Sequence, residues 1–104
     1  MKKKLTTEED YRQRVDRVCM YIREHLDKEI DMRRLAVLSA FSPFHFHRIM
    51  RAYLKEPIGA FIIRTRVETA AKLLRYTDLP VADIAYRVGY DTPSSLTKSF
   101  CKFF

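Results

Sequence analysis

The sequence predicts an all-α fold in which a long linker helix joins two helix-turn-helix subdomains. Three observations lead to this prediction. Apolar residues recur every three or four positions along most of the chain, which is the period of a helix with one buried face. The 104 residues include only two glycines, too few for the many turns of an all-β fold. A Ser/Thr-Pro pair followed by an apolar and basic helical pattern occurs twice, at residues 42–53 and 92–103.

The charge of the chain is unevenly distributed. Residues 1–32 contain eight basic and eight acidic residues, whereas residues 33–104 contain twelve and five and therefore carry the whole net charge of +7. An excess confined to the part with both repeated helices indicates a polyanionic partner, although composition does not separate DNA from RNA or an acidic membrane. No apolar run reaches the roughly 18 residues of a membrane span. With no secretory signal and no disulfide framework, we expect a cytoplasmic protein that does not associate with membranes.

The first subdomain, residues 1–54, is predicted to contain an N-terminal tail over residues 2–5, helix 1 and the first helix-turn-helix. Thr6 and Glu9 form a capping box at the start of helix 1. We expect helix 1 to end near Leu26 and to bury one stripe, formed by Tyr11, Val15, Val18, Cys19, Ile22 and Leu26.

Two short helices complete the first subdomain. Helix 2 is predicted over residues 32–39, with Asp31 as its cap. Helix 3 is predicted over residues 43–54, because Ser42 can cap it and Pro43 loses no hydrogen bond at the first helical position. Helix 3 has an apolar face and, opposite to it, a basic and aromatic face, formed respectively by Phe46, Ile49, Met50 and Tyr53 and by Phe44, His47, Arg48 and Arg51.

The linker, residues 55–76, is predicted to hold helix 4 from Pro57 to about Arg75. The second subdomain, residues 77–104, contains helix 5 over residues 81–88, a left-handed Gly89 and helix 6 over residues 93–103. The residues expected to be buried in helices 4 and 5 are Ile58, Phe61, Ile62, Val67, Ala70, Ala71, Leu73, Leu74, Val81, Ile84, Ala85 and Val88.

The two helix-turn-helix units are repeats of one another. Leu35-Ala36 matches Ile84-Ala85, and Ala40-Phe41 matches Gly89-Tyr90 at the same offset. A helix 4 of about 19 residues is roughly 28 Å long. If it is straight, the two second helices can lie about 34 Å apart, which is one turn of B-DNA. One chain can then place helices 43–54 and 93–103 in two adjacent major-groove segments.

These residues resemble the DNA-binding domain of the AraC/XylS family of bacterial transcription regulators. The resemblance covers Tyr11 to Phe104. It implies double-stranded DNA and RNA polymerase as partners, often with activation of transcription. It rests on Leu35-Ala36, Phe41-Ser42, Phe46-His47-Arg48, Arg66-Val67, Ala70, Leu73-Leu74, Ile84-Ala85, Gly89-Tyr90, Leu96, Lys98, Phe100 and Phe104.

The sequence departs from the family pattern in three places. Ala40 replaces a glycine common in the first turn, so a left-handed residue there costs about 1 kcal/mol. The family usually continues after Phe104 with a Gly-x-x-Pro-x-x-Tyr-Arg segment, so we expect the second subdomain to be truncated. An effector, if the regulator has one, is expected to bind to a domain that this sequence does not contain.

Six residues are candidates for base contacts. Arg48 is expected to donate two hydrogen bonds to guanine, and a surface ion pair is its alternative. His47 is expected at a base edge or else simply exposed. Phe44 is expected against a thymine methyl or sugar, unless it packs on helix 2 or a loop. In helix 6 the candidates are Ser94, Ser95 and Lys98, although capping explains the serines equally well.

Five further residues are candidates for phosphate contacts, since hydroxyl and cationic donors suit phosphate oxygens. Arg51 is the strongest of them, with a solvated arginine as its alternative. The hydroxyl-rich composition of helix 6 predicts less base discrimination than helix 3. The complete set is Ser42, Arg51, Thr92, Thr97 and Lys102.

Other functions find less support in the sequence. His45 and His47 point about 200° apart on a helix and lack a second ligand pair, so we expect neither a metal nor another cofactor. No nucleophile–base set or paired carboxylates are present, so we expect no catalytic residues and no enzyme. A basic helical module that docks an acidic protein is the main alternative. RNA binding is weaker, since exposed aromatic platforms are lacking.

Overall fold

The computed structural model describes residues 5–104, in which all regular structure is helical. The predicted all-α fold is therefore confirmed. The predicted N-terminal tail lies, up to residue 4, outside the described residues. Six helices follow one another: α1 Thr7–Glu24, α2 Met32–Ser39, α3 Pro43–Leu54, α4 Ile58–Tyr76, α5 Val81–Arg87 and α6 Pro93–Phe103.

The described residues form two compact units. Unit 1 comprises the described residues up to Glu24 together with Ile30–Ile58, and it contains the first helix-turn-helix, α2–α3. Unit 2 comprises His25–Glu29 and Gly59–Phe104, and it contains nearly all of α4 and the second helix-turn-helix, α5–α6.

The core of unit 1 lies where α1 packs against α2 and α3. Each of the three helices contributes side chains that are at most 1% exposed, namely Val18, Ile22, Leu35, Phe46 and Met50. These residues belong to the apolar faces predicted from helical spacing. The opposite face of α3 is consequently turned away from the core of unit 1.

The start of α1 follows from its capping residue. Thr6 Oγ1 accepts a hydrogen bond from the backbone N–H of Glu9 at 3.1 Å. The helix ends at Glu24, two residues earlier than expected, while Leu26 is nevertheless buried in unit 2. Cys19 is buried as predicted, and its burial raises the pKa of the thiol. The positive charge of Arg23 opposes this rise, and the carboxylate of Asp16 adds to it.

The core of unit 2 joins α4 to both helices of the second helix-turn-helix. It is formed by small and branched side chains that are at most 3% exposed, with Leu73, Leu79 and Tyr90 packed against them. Its fully buried members are Ala70, Ile84, Ala85, Val88 and Leu96.

Two residues expected in the core are instead exposed. Leu74 is 44% exposed near the end of α4, and Val81 is 47% exposed at the start of α5. Both residues have the helical spacing of buried residues. They lie in the last turn of α4 and the first turn of α5, where fewer neighbouring residues are available to cover a side chain. In addition, α5 ends at Arg87, one residue before the predicted end.

The remaining bounds agree with the predictions to within one residue. α2, α3 and α6 begin after the predicted caps, and α4 has the expected 19 residues. Among the described helices, none combines the length and the apolar character needed to cross a bilayer.

Candidate nucleic-acid interface

The N-terminus of α3 is fixed by Ser42 and Pro43. The Ser42 hydroxyl accepts a hydrogen bond from the backbone N–H of His45 at 3.3 Å and also bonds to the His45 ring at Nδ1, 2.8 Å away. Pro43 occupies the first turn, where its missing N–H costs nothing. The buried side chains of Phe46 and Met50 then set the rotation of α3 about its own axis. One face of the helix is therefore presented to solvent in a defined orientation.

That outward face contains every candidate predicted for α3. Phe44 is 81% exposed, so the alternative in which its ring packs on α2 or a loop is wrong. The ring makes an edge contact with the His45 imidazole, with centroids 5.3 Å apart. His47 is exposed and makes a similar edge contact with the buried Phe46 ring at 5.2 Å. The surface thus carries an uncovered aromatic ring next to polar side chains.

Arg48 and Arg51 are exposed on the same face. Among residues 5–104, no carboxylate lies within the 4.0 Å of an ion pair with either guanidinium. The surface ion pair considered as an alternative for Arg48 is therefore wrong. Both guanidinium groups keep their donors available for a polyanion.

The turn before α3 contains a strained residue. Ala40 has φ 60°, which is the left-handed conformation whose cost was considered for this position. Its N–H donates to Val37 O at 3.1 Å. The buried Ser39 hydroxyl then links the N–H of Phe41 to the carbonyl of Ala36. Ser39 Oγ accepts from the N–H of Phe41 at 3.2 Å and donates to the carbonyl of Ala36 at 2.7 Å. A side-chain relay thus replaces a direct backbone bond at the end of α2.

A groove of about 710 Å³ runs beside α3 on the side of α1. Arg14 and Tyr11 of α1 line this groove together with Arg48 and Tyr53 of α3, although α1 contains no residue predicted to contact DNA. The guanidinium of Arg12 also lies over the Tyr53 ring, 5.6 Å from its centroid. No sequence signal indicates this arrangement, because it depends on how α1 packs on α3.

The N-terminus of α6 repeats the design of α3. Thr92 Oγ1 accepts the N–H of Ser95 at 3.1 Å and donates to Ser95 Oγ at 3.0 Å, followed by Pro93 in the first turn. Leu96 is 3% exposed and packs in the core of unit 2 from the opposite face of α6. Thr97 Oγ1 donates to the Pro93 carbonyl at 2.9 Å. All candidates on α6 are exposed, namely Ser94, Ser95, Thr97, Lys98 and Lys102.

The turn before α6 is closed by backbone hydrogen bonds alone. Gly89 N–H donates to Tyr86 O at 3.1 Å, and Tyr90 N–H donates to Ala85 O at 2.9 Å. This pair of bonds with a left-handed residue, here φ 95° at Gly89, is the Schellman motif. Arg66 Nη1 then donates to Gly89 O at 3.0 Å. The left-handed glycine predicted here is confirmed.

The two histidines of α3 do not face a common ligand position. His45 Nδ1 is bonded to Ser42, and the described residues contain no group of three His, Cys, Asp or Glu side chains arranged to hold a metal ion. The features that the two units share are an exposed hydroxyl-capped N-terminus and an outward face with cationic side chains. Such helix ends and faces suit the phosphates and base edges of a nucleic acid.

Comparison with known proteins agrees with this geometry. A family model described as a helix-turn-helix domain matches residues 35–104. The chain is 31% identical over 94 residues to the uncharacterized HTH-type transcriptional regulator YbfP of Bacillus subtilis, covering 90% of the chain and 32% of YbfP. It is 30% identical over 86 residues to the HTH-type transcriptional activator AarP of Providencia stuartii, covering 83% of the chain and 64% of AarP. The chain thus spans about a third of the first relative and somewhat under two thirds of the second.

A solved structure shows a similar fold. The DNA-binding domain of the global transcriptional factor AdpA, in complex with a target DNA, matches with a TM-score of 0.77. The two chains are 28% identical, and the match covers 85% of this chain and 79% of that one.

Proposed function

The chain belongs to the AraC/XylS family of helix-turn-helix regulators, and from this premise we propose that α3 and α6 read two adjacent major-groove segments of one double-stranded DNA site. The chain is a DNA-binding domain of a transcription regulator, and its family is one of regulators rather than of enzymes. Two reading helices in one chain remove the need for a dimer on a palindromic site. The observation that carries the proposal is the outward face of α3, whose arginines have no carboxylate partner within residues 5–104.

In this proposal α3 supplies most of the base discrimination. Arg48 donates two hydrogen bonds to guanine O6 and N7, the geometry that a planar guanidinium matches best. His47 contacts a neighbouring base edge with a ring nitrogen. The exposed Phe44 ring meets a thymine methyl or a sugar, since burial of this aromatic surface on DNA is favourable. Exposure of all three side chains supports these roles.

In α6 the proposed base contacts are Ser94, Ser95 and Lys98. A serine hydroxyl both donates and accepts, so it distinguishes base edges less sharply than a guanidinium does. Ser95 Oγ already accepts a hydrogen bond from Thr92, which leaves its own proton available for a base. We therefore assign α6 weaker discrimination and a larger share of anchoring.

The proposed phosphate contacts are of two kinds. Arg51 and Lys102 are exposed cations that reach phosphate directly. The hydroxyls of Ser42, Thr92 and Thr97 are hydrogen-bonded within the chain, each at an exposed position. On binding, each of these hydroxyls is proposed to replace a hydrogen bond within the chain by one to a phosphate oxygen. The positive N-terminal ends of α3 and α6 also attract the phosphates.

The regulatory outcome is proposed from the relatives. AarP is named a transcriptional activator, and we propose that this chain likewise supports activation through contact with RNA polymerase. The site of action is the bacterial cytoplasm, because that is where the proposed DNA and polymerase partners are found. The proposed activity is binding alone, without a catalytic step.

Selection of duplexes from random DNA, followed by titration of labelled duplexes at several salt concentrations, tests the proposal. We expect two half-sites about one helical turn apart and a selected site bound at least ~10³-fold more tightly than random DNA. A gain of tenfold or less overturns specific reading. Absence of DNA binding at low salt, together with a salt-insensitive complex with an acidic protein, would instead support a protein-docking module.

A further inference from the structure

The two turns share a contact that their sequences do not reveal. In each, an arginine of a preceding scaffold helix donates to the carbonyl of the left-handed turn residue. Arg14 Nη1 lies 3.2 Å from the carbonyl of Ala40, and Arg66 Nη1 lies 3.0 Å from the carbonyl of Gly89. Ala40 and Gly89 occupy equivalent positions in the internal repeat. Equivalent hydrogen bonds are therefore present in both units. The donor and acceptor are 26 residues apart in unit 1 and 23 residues apart in unit 2.

We propose that Arg14 and Arg66 are positioning residues for DNA reading, each fixing the angle at which a reading helix leaves its turn. The inference rests on the proposed function of α3 and α6. It assigns a role in specificity to two side chains that contact no base themselves.

In unit 1 the position of Arg14 is defined by three partners. Its guanidinium lies over the Phe41 ring, 4.9 Å from the centroid, and pairs with Asp10 at 3.1 Å while bonding to Ala40. A planar group that stacks and donates at once has little freedom to move. The bond therefore ties the turn directly to α1.

A second arginine of α1 supports the same end of α2. Arg17 Nη1 donates to the carbonyl of Leu38 at 3.3 Å. The last carbonyls of a helix have no partner within the helix and are favourable sites for cations. Arg14 and Arg17 together hold the end of α2, from which α3 begins three residues after Ala40.

Small changes of this angle matter because α3 has 12 residues, so a tilt at its start displaces the side chains further along it. Arg48 lies five residues after Pro43, or roughly 7.5 Å along the helix axis, so a tilt of ~5° about the helix start moves its backbone by about 0.7 Å. A hydrogen bond from Arg48 to guanine tolerates only a few tenths of an ångström around 2.7–3.2 Å. Loss of the bond to the turn is therefore expected to weaken base discrimination before it affects the fold.

In unit 2 Arg66 acts as a bridge. Nη1 donates to Gly89, and Nη2 donates to the carbonyl of Lys28 at 3.0 Å. Within the described residues no carboxylate lies within 4.0 Å of this guanidinium, and its Nε is buried without a partner. A half-buried charge without a counter-ion is unfavourable, and here the planar fork of the guanidinium compensates by donating to two carbonyls at once. A lysine ammonium lacks that planar fork.

The test uses Arg14→Lys and Arg66→Lys in the full chain, since both variants keep the charge and hence the salt dependence of binding. The controls are Arg33→Lys and Arg75→Lys. Arg33 lies on α2 beside Asp31, and Arg75 lies on α4 over the Tyr76 ring; the structure shows no bond from either to the turns before α3 and α6 within the described residues. Affinities are measured for the selected duplex, for random DNA and for two altered duplexes, each scrambled in one half-site. Arg48→Ala and Lys98→Ala identify which half-site each helix reads.

We expect Arg14→Lys to lower discrimination about tenfold at the α3 half-site only, and Arg66→Lys to do so at the α6 half-site only. The controls and the affinity for random DNA should change less than about twofold. Equal loss at both half-sites, loss that parallels the folded fraction measured by circular dichroism, or unchanged discrimination overturns the inference. Failure of Arg66→Lys to fold at 10 °C overturns it for unit 2. If the unaltered chain itself fails to distinguish the selected duplex from random DNA, the proposed function is wrong instead.

Discussion

Arg66 and Gly89 lie so close together that the turn of the second helix-turn-helix admits no side chain. Arg66 Nη1 donates to the Gly89 carbonyl at 3.0 Å. A Cβ built on Gly89 would collide with this guanidinium and with the carbonyl oxygen of Leu26. The backbone also has φ 95°, which L residues rarely adopt. Conformation and close packing therefore require glycine independently of each other.

Gly89→Ala should consequently destabilise the protein by about 3 kcal/mol or more, because left-handed strain and overpacking act together. Urea denaturation followed by circular dichroism measures the loss. Gly59→Ala is the matched control. Gly59 lies within α4, and apart from its chain neighbours and the adjacent helix backbone no heavy atom lies within 4 Å of an added Cβ, so its substitution should stabilise by roughly 0.5–1 kcal/mol. A loss below about 1 kcal/mol in Gly89→Ala would contradict the packing described for this turn.

Ala40→Gly should stabilise the protein by about 1 kcal/mol. Ala40 has φ 60°, and glycine removes the strain of its Cβ while preserving the bonds of the turn. The same substitution at Ala52, an exposed residue within α3, should destabilise by roughly 0.5–1 kcal/mol. Opposite signs for one chemical change identify backbone conformation as the cause. Destabilisation by both substitutions would argue against a strained Ala40.

Local signals in the sequence were sufficient to place most helices. Asp31, Ser42 and Thr92 each cap a helix within three residues, and Pro43 and Pro93 follow two of them. Capping and proline geometry act over one turn, so they can be read without knowledge of the fold. The left-handed conformation of Gly89 was predictable for the same reason, because glycine is the usual residue just after a helix end.

Contacts between distant residues were not predictable in this way. The bonds of Arg14 and Arg66 to the turns span 26 and 23 residues, and nothing in the local pattern distinguishes these arginines from solvated ones. Helical spacing placed Leu74 and Val81 on buried stripes, but spacing does not show whether a neighbouring element covers a helix end. The exposure of Phe44 likewise depends on what packs beside it.

Ser39→Ala should destabilise unit 1 by about 1–3 kcal/mol. The buried hydroxyl connects the N–H of Phe41 to the carbonyl of Ala36, so its removal leaves both groups short of a partner. Thermal or urea denaturation gives the size of the effect. Ser94→Ala, at an exposed position of α6, should change stability by no more than about 0.5 kcal/mol. Equal small effects of the two substitutions would show that the relay contributes nothing.

The two cysteines should differ strongly in reactivity. Cys101 is exposed, whereas Cys19 is buried and its thiol has a raised pKa. At any given pH a smaller fraction of Cys19 is therefore ionised than of a cysteine with an ordinary pKa. The thiolate is the form that reacts. With iodoacetamide at pH 8 we expect one rapid modification, which Cys101→Ser abolishes, and a second that requires urea. Equal rates for both thiols in the native protein would contradict the burial of Cys19.

Arg48 and Arg51 should respond differently to removal, although both lie exposed on one face of α3. Arg48→Ala should cost about 1–3 kcal/mol on the selected duplex and relax the requirement at one base position, because a base contact discriminates. Arg51→Ala should weaken all duplexes alike and lower the salt slope of binding by about one, as expected for a phosphate contact. Titrations of selected, singly altered and random duplexes at several salt concentrations separate the two effects. If Arg48→Ala weakens selected and random DNA equally, Arg48 is a phosphate contact and base discrimination by α3 depends on His47 and Phe44.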